Sequence, residues 1–117
     1  FYIEPTVFMN VTPAMRIARE EIFGPVLSVL TYRTEAEAVR LANDTPYGLS
    51  SGVFGPDAAA RRIAAEIDAG NVFVNNAPRD VKAPFGGFKA SGLGYESGVA
   101  GLMEFVRFKS VFVRGDV

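Results

Sequence analysis

LSSGVFGPDAAARRIAAEIDAGNVFVN, residues 49–75, decides the fold. Residues 49–54 read as a short strand, and Asp57 stands where a helix N-cap belongs. Ala60, Ile63, Ala64 and Ile67 then recur on one helical face until Gly70 interrupts the pattern. NVFVN, residues 71–75, is a second apolar run of strand length. Strand, helix and strand in that order ask for a crossover between parallel strands.

Upstream the same alternation continues. PVLSVLTY, residues 25–32, is a β-branched apolar run of strand length, expected to be buried on both faces. Thr34 with Glu37 three residues later is a capping-box signature. Behind it Ala38, Leu41 and Ala42 form one stripe, and the helix is expected to end near Asn43. Residues 2–8 alternate imperfectly around Pro5, as an edge strand does, and Thr12-Pro13 predicts a short helix running to about Arg16. Downstream come a loop with glycines at 86, 87, 92 and 94, a helix through ESGVAGLMEF and a last strand, RFKSVFV, residues 107–113. That strand has an open edge that invites a second chain. The expected class is α/β: a partial open, mostly parallel sheet with crossover helices and a C-terminal assembly strand.

Composition limits the chemistry. With 49% hydrophobic and 21% charged residues, the 117-residue chain has an ordinary globular composition, enough for one core. A formal charge of -1 supplies no basic field for nucleic acid. No apolar run approaches the ~20 residues of a membrane helix, and a cytoplasmic location is expected. Cysteine and histidine are both absent, which removes thiol nucleophiles, imidazole acid–base groups and the usual zinc sites, so no metal is expected. The chain opens directly on a strand-like pattern without methionine, as a piece of a longer polypeptide would.

REEIFGPV, residues 19–26, sets two carboxylates beside a Phe-Gly-Pro turn. Glu20 reads as a surface residue. The turn directly after Glu21 restrains that residue, because Pro25 drives Gly24 out of the helical region. A carboxylate so held can take both hydroxyls of a ribose or simply face water, and spacing leaves the second reading ahead. PFGGFKASGLG lacks a Gly-Lys-Ser/Thr ending and is no phosphate loop; its glycines read first as turns and close packing, with Phe85 and Phe88 filling core, but it follows a strand on the side where α/β folds gather their pockets, so Phe85 can instead wall one. Arg79, Asp80 and Lys82 suit an anionic substrate, although hydrated loop charges are the commoner case. Glu96 suits either the first turn of a helix or a proton relay.

EPTVF, MRIAREEIFGPVLSV, ANDTPYGLSSGVF, AGNVFVNNAP, PFGGFKASGLGYESG and FKSVFV together resemble, in order, the carboxyl-terminal part of the NAD(P)-dependent aldehyde dehydrogenase superfamily. In that family a cysteine thiolate attacks an aldehyde, hydride passes to NAD or NADP, and a glutamate-activated water releases the acid. The thiolate, the base and the Rossmann half lie upstream in family members. The resemblance implies that Glu21 binds the ribose of the nicotinamide half, that Phe23 packs against that half and that Phe85 lies near the aldehyde tunnel. It further implies that the loop 76–83 varies with substrate and that Glu96 helps move protons. Tyr95 and Ser97 depart from the more usual arginine and leucine around that glutamate. Residues 1–95 then belong to the catalytic domain, and 96–117 form a terminal helix and an oligomerisation strand that makes a homo-oligomer. The alternative is a non-catalytic interaction module that keeps only the fold half.

Overall fold

A computed structural model describes residues 2–115. Its chain order is β1 (Thr6–Phe8), a 3-10 turn (Arg16–Ala18), β2 (Val26–Ser28), α1 (Glu35–Asn43), β3 (Tyr47–Gly48), β4 (Ser50–Val53), α2 (Asp57–Ala64), β5 (Asn71–Val74), β6 (Phe88–Lys89) and α3 (Gly98–Met103). The α/β class holds. Instead of one open sheet, the described residues form three two-stranded pieces, β1–β2 and β4–β5 parallel and β3–β6 antiparallel.

The predicted centre is there. β4 and β5 pair in parallel from Ser50 opposite Asn71 to Val53 opposite Val74, and α2, between them in sequence, packs on both. Ala60 is the inward contact of α2, at 1% exposure. Asp57 does not cap that helix. It is the first helical residue, with Pro56 at the N-cap, and its carboxylate accepts from Arg61 Nε at 2.8 Å. α2 also ends at Ala64, ahead of Gly70, so the role of that glycine is not to stop a helix. A Cβ on Gly70 would run into the carbonyl of Gly86, which makes the residue a point of close backbone approach.

α1 follows its sequence signal closely. Thr34 Oγ1 accepts from the Glu37 amide at 3.2 Å, and the Glu37 carboxylate reaches back to accept from the Arg33 amide at 2.8 Å, one residue beyond the usual reciprocal partner. The helix predicted at 13–16 is displaced: Met15 is extended, and the turn occupies Arg16–Ala18. β2 is shorter than predicted and not buried on both faces, since among the described residues β1 is its only strand neighbour and Leu27 is exposed.

Among the described residues RFKSVFV pairs with no other strand. Residues 107–113 are exposed and without secondary structure, and Phe108 and Phe112 are 85% and 95% accessible. The radius of gyration is 20.1 Å, whereas a compact domain of this length has about 13 Å. Accessible surface is 9716 Å², against roughly 6,200 Å² for a folded monomer of this mass. Among the described residues Val11 and Ala60 are the buried hydrophobics. A core of that size is small beside the conformational entropy of over a hundred residues.

The connections around β3 and β6 are polar. Lys89 takes a left-handed backbone conformation (φ 53°), and its Nζ donates to the Asn43 carbonyl at 2.9 Å and lies 3.0 Å from Asp68 Oδ2. Asn43 itself accepts from the Asp68 amide and donates to the Glu66 carbonyl. One ammonium therefore ties the end of α1, the turn before β5 and the glycine-rich loop together. With the Lys89 side chain 24% exposed, Lys89→Ala is expected to cost about 1 kcal/mol after screening by solvent. A lowered denaturant midpoint of the full-length protein would report it, and an unchanged midpoint would count against the tie.

Candidate functional site

Glu21 and Phe23 lie in the irregular segment between the 3-10 turn and β2. Neighbouring bonds fix that segment. Arg19 Nε donates to the Pro13 carbonyl at 2.8 Å and Arg19 Nη2 to Asp44 Oδ2 at 3.0 Å; past the bend, the Val26 amide donates to the Gly24 carbonyl and the Thr6 amide to that of Pro25. The bend predicted from Gly24-Pro25 is thus held from both ends. Among the described residues, nothing pairs with the Glu21 carboxylate by hydrogen bond or ion pair. It lines an open cavity of about 660 Å³ with Arg19, Tyr47, Ser50, Asp68 and Ser91. Phe23 projects from the bend, 93% exposed.

Glu20 behaves differently from its neighbour. Its carboxylate makes a two-pronged contact with Arg16, at 3.0 and 2.7 Å. The hydrogen bond and then the charge of Arg16 hold its carboxyl below the ordinary range. A depressed folded-state value means that the pair helps folding above the unfolded carboxylate range and loses that help as pH falls through the lowered value. Both side chains are exposed, so the effect is small. Glu20→Gln is expected to lower stability at neutral pH only slightly, and titrating both proteins to low pH should remove whatever difference exists.

Phe85 and Glu96 are brought together by an arrangement no local pattern announced. Their backbones form an isolated antiparallel bridge, each amide donating to the other's carbonyl at 2.7 Å. A mutually bonded pair of this kind puts both side chains on one face. Phe85, Glu96, Tyr95 and Glu104 line a second cavity of about 360 Å³. Leu49 and Ser91 belong to the walls of both cavities, so the turn carrying Glu21 and the loop carrying Phe85 meet across a common partition. Ser91 is pinned there by accepting from the Gly48 amide at 2.9 Å. Phe23 lines neither cavity.

Asn71 was not singled out by sequence. Its Nδ2 donates to the carbonyls of Leu49 (3.3 Å) and Gly86 (3.2 Å), clamping the glycine loop onto β4 and β5. A polar residue opening an apolar strand was the available signal. Arg79 lies with its guanidinium 4.3 Å from the centre of the Phe85 ring, and its Nη2 donates to Ser97 Oγ at 3.0 Å. The serine that departs from the usual leucine therefore has a partner. Gly98, which follows it, has φ 59°, and a Cβ there would strike the Lys82 carbonyl; glycine is required where α3 starts against this loop. Among the described residues no group of three His, Cys, Asp or Glu is placed to hold a metal, and no helix is long and apolar enough to cross a membrane.

A family model described as the aldehyde dehydrogenase family matches residues 1–111. A betaine aldehyde dehydrogenase of Mesorhizobium japonicum is 51% identical over 120 aligned positions, which take in 100% of this chain and 25% of that protein. Among solved structures, a C291A mutant of aldehyde dehydrogenase C from Pseudomonas syringae, in complex with NAD+ and octanal, superposes with a TM-score of 0.92 at 50% identity, covering 100% of this chain and 25% of the other. A Mycobacterium tuberculosis aldehyde dehydrogenase complexed with NAD+ also gives 0.92, at 43% identity, covering 97% of this chain and 24% of the other. The chain spans about a quarter of the length of these relatives.

Proposed function

Because the chain belongs to the aldehyde dehydrogenase family, we propose that it is the carboxyl-terminal part of an enzyme that oxidises an aldehyde to a carboxylic acid with NAD or NADP, and that it supplies cofactor-positioning and pocket-wall residues. The observation that carries this reading is the unpaired Glu21 carboxylate at the rim of one cavity, beside the partition behind which Phe85 and Glu96 share a face. A group that takes a ribose diol has to be a free acceptor on a fixed backbone, and Glu21 meets both conditions. The cofactor, when bound, supplies the acceptor for hydride. Glu21 orients its sugar through charge-assisted hydrogen bonds, and Phe23 covers the nicotinamide half. Phe85 walls the aldehyde tunnel, and Glu96, its backbone locked to Phe85, carries protons on its carboxylate oxygens.

The nucleophile lies elsewhere in the enzyme, for this chain has no cysteine. Residues 1–95 complete the catalytic domain, while 96–117 add α3 and the segment that pairs with another copy. The exposed apolar residues of 107–113 support that assembly role. They equally favour a second reading, a non-catalytic assembly module.

Purified full-length protein mixed with an aldehyde and NAD+ or NADP+ tests the proposal through absorbance of the reduced nicotinamide. The residue 1–117 chain alone should give none. Turnover by the cysteine-free chain would overturn the mechanism, and a native protein with the mass of 117 residues would favour the module.

A further inference from the structure

Resting on that reading, we propose that Arg79 sets substrate class: it turns the pocket away from quaternary-ammonium aldehydes and toward aldehydes that carry a carboxylate. The face of an aromatic ring is an ordinary seat for a cationic headgroup, worth most where water is excluded. On Phe85 that seat is taken by the chain's own guanidinium at 4.3 Å. A trimethylammonium group approaching the same ring meets an occupied face and a like charge. A carboxylate meets a cation with donors to spare, because one Arg79 Nη2 bond goes to Ser97 Oγ and no carboxylate pairs with Arg79 among the described residues.

The surroundings support the sign. Asp80 and Lys82 flank Arg79, so the three charges sum to one positive, and Asp80 Oδ1 is engaged by the Lys82 amide at 2.9 Å. Arg79 also lines a separate cavity of about 340 Å³ alongside β5, with Asn71, Phe73, Pro78, Asp80 and Pro84; Phe85 walls the neighbouring cavity of about 360 Å³, so the guanidinium on its ring stands between the two. The separate cavity is large enough for a short chain ending in a carboxylate. The guanidinium fork matches a carboxylate in plane and spacing, and its place over the ring pre-sets its orientation.

The test uses the full-length enzyme and three aldehydes of similar length: a neutral alkanal, the same chain ending in carboxylate, and trimethylammonio-acetaldehyde. In Arg79→Gln the carboxylate-to-neutral ratio of kcat/KM should fall about tenfold, the size of one partly exposed charge-assisted bond, and the loss should sit in KM. The trimethylammonium-to-neutral ratio should rise. Arg79→Lys should lie between, keeping the charge but not the fork, and in the wild type raising salt should erode the carboxylate preference, a readout that does not depend on any variant folding.

Ratios that do not move in either variant, or a wild-type preference for the trimethylammonium substrate, overturn the inference while leaving aldehyde oxidation intact. Failure of the wild type to reduce NAD+ or NADP+ with all three overturns the enzyme reading and this inference with it.

Discussion

Glu21→Gln in the full-length enzyme is expected to lower kcat/KM for the nicotinamide cofactor about ten- to a hundredfold. The substitution keeps the shape and removes the charge, so a ribose diol faces a neutral amide whose one carbonyl oxygen cannot accept what two carboxylate oxygens can. Each charge-assisted bond lost is worth roughly 1.5–3 kcal/mol where water is excluded, and a misaimed nicotinamide adds to the loss in the hydride step. The bend that holds Glu21 depends on backbone bonds at Gly24 and Pro25 and on the Arg19 anchors, none of which the substitution touches. Stability should therefore hardly change. Single-turnover hydride transfer and a direct cofactor titration separate aim from affinity. If both match the wild type, Glu21 leaves the site. Glu20, one residue away and already engaged by Arg16, is the internal control for loss of charge alone.

Gly70→Ala is the second large effect, and it acts on packing. A Cβ at position 70 collides with the Gly86 carbonyl, a backbone atom that cannot step aside as a flexible side chain would. Either β5 or the PFGG loop has to move, at a cost of about 1–3 kcal/mol. The movement also stretches the Asn71 bond to the same Gly86 carbonyl, and with it the seat of Phe85. The expected result is a lower melting temperature together with a raised KM for aldehyde, while cofactor affinity, which the proposed function assigns to the separate segment around Glu21, changes less. A variant as stable as the wild type with unaltered aldehyde kinetics would show that the approach of these two backbones is slack.

The local elements were readable in the sequence for a local reason. Thr34 and Glu37 close their capping bonds within four residues, and the apolar stripes of α1 and α2 arise from the helical repeat itself. β5 was legible as a short apolar run between Gly70 and Asn75. The failures share a cause as well. Asp57 looked like a cap because its type is common there, and only the bond to Arg61 reveals that its oxygen is spent elsewhere. Residues 25–32 looked doubly buried because an apolar run records what a strand can bury. It does not record which neighbour is present to bury it.

The site divides along the same line. The bend after Glu21 was visible in eight consecutive residues, since Pro25 constrains its predecessor whatever the tertiary surroundings, while a role for Glu21 came from the family resemblance and not from spacing. The meeting of Phe85 with Glu96, the clamp from Asn71 and the placing of Arg79 over the Phe85 ring join residues 6 to 22 positions apart, counting the reach from Asn71 to Leu49. No helical or strand period links them.

By itself the sequence determined the α/β alternation, the capped start of α1, the bend at Gly24-Pro25 and the absence of cysteine and histidine from this chain, because each of these follows from residue type and near-neighbour sterics. Tertiary structure alone decided that the strands stand as separate pairs, that residues 107–113 pair with no strand among the described residues, and that two cavities share Leu49 and Ser91. Those outcomes depend on which distant backbones fit closely enough to touch, and that fit is settled by shape and hydrogen-bond geometry in three dimensions.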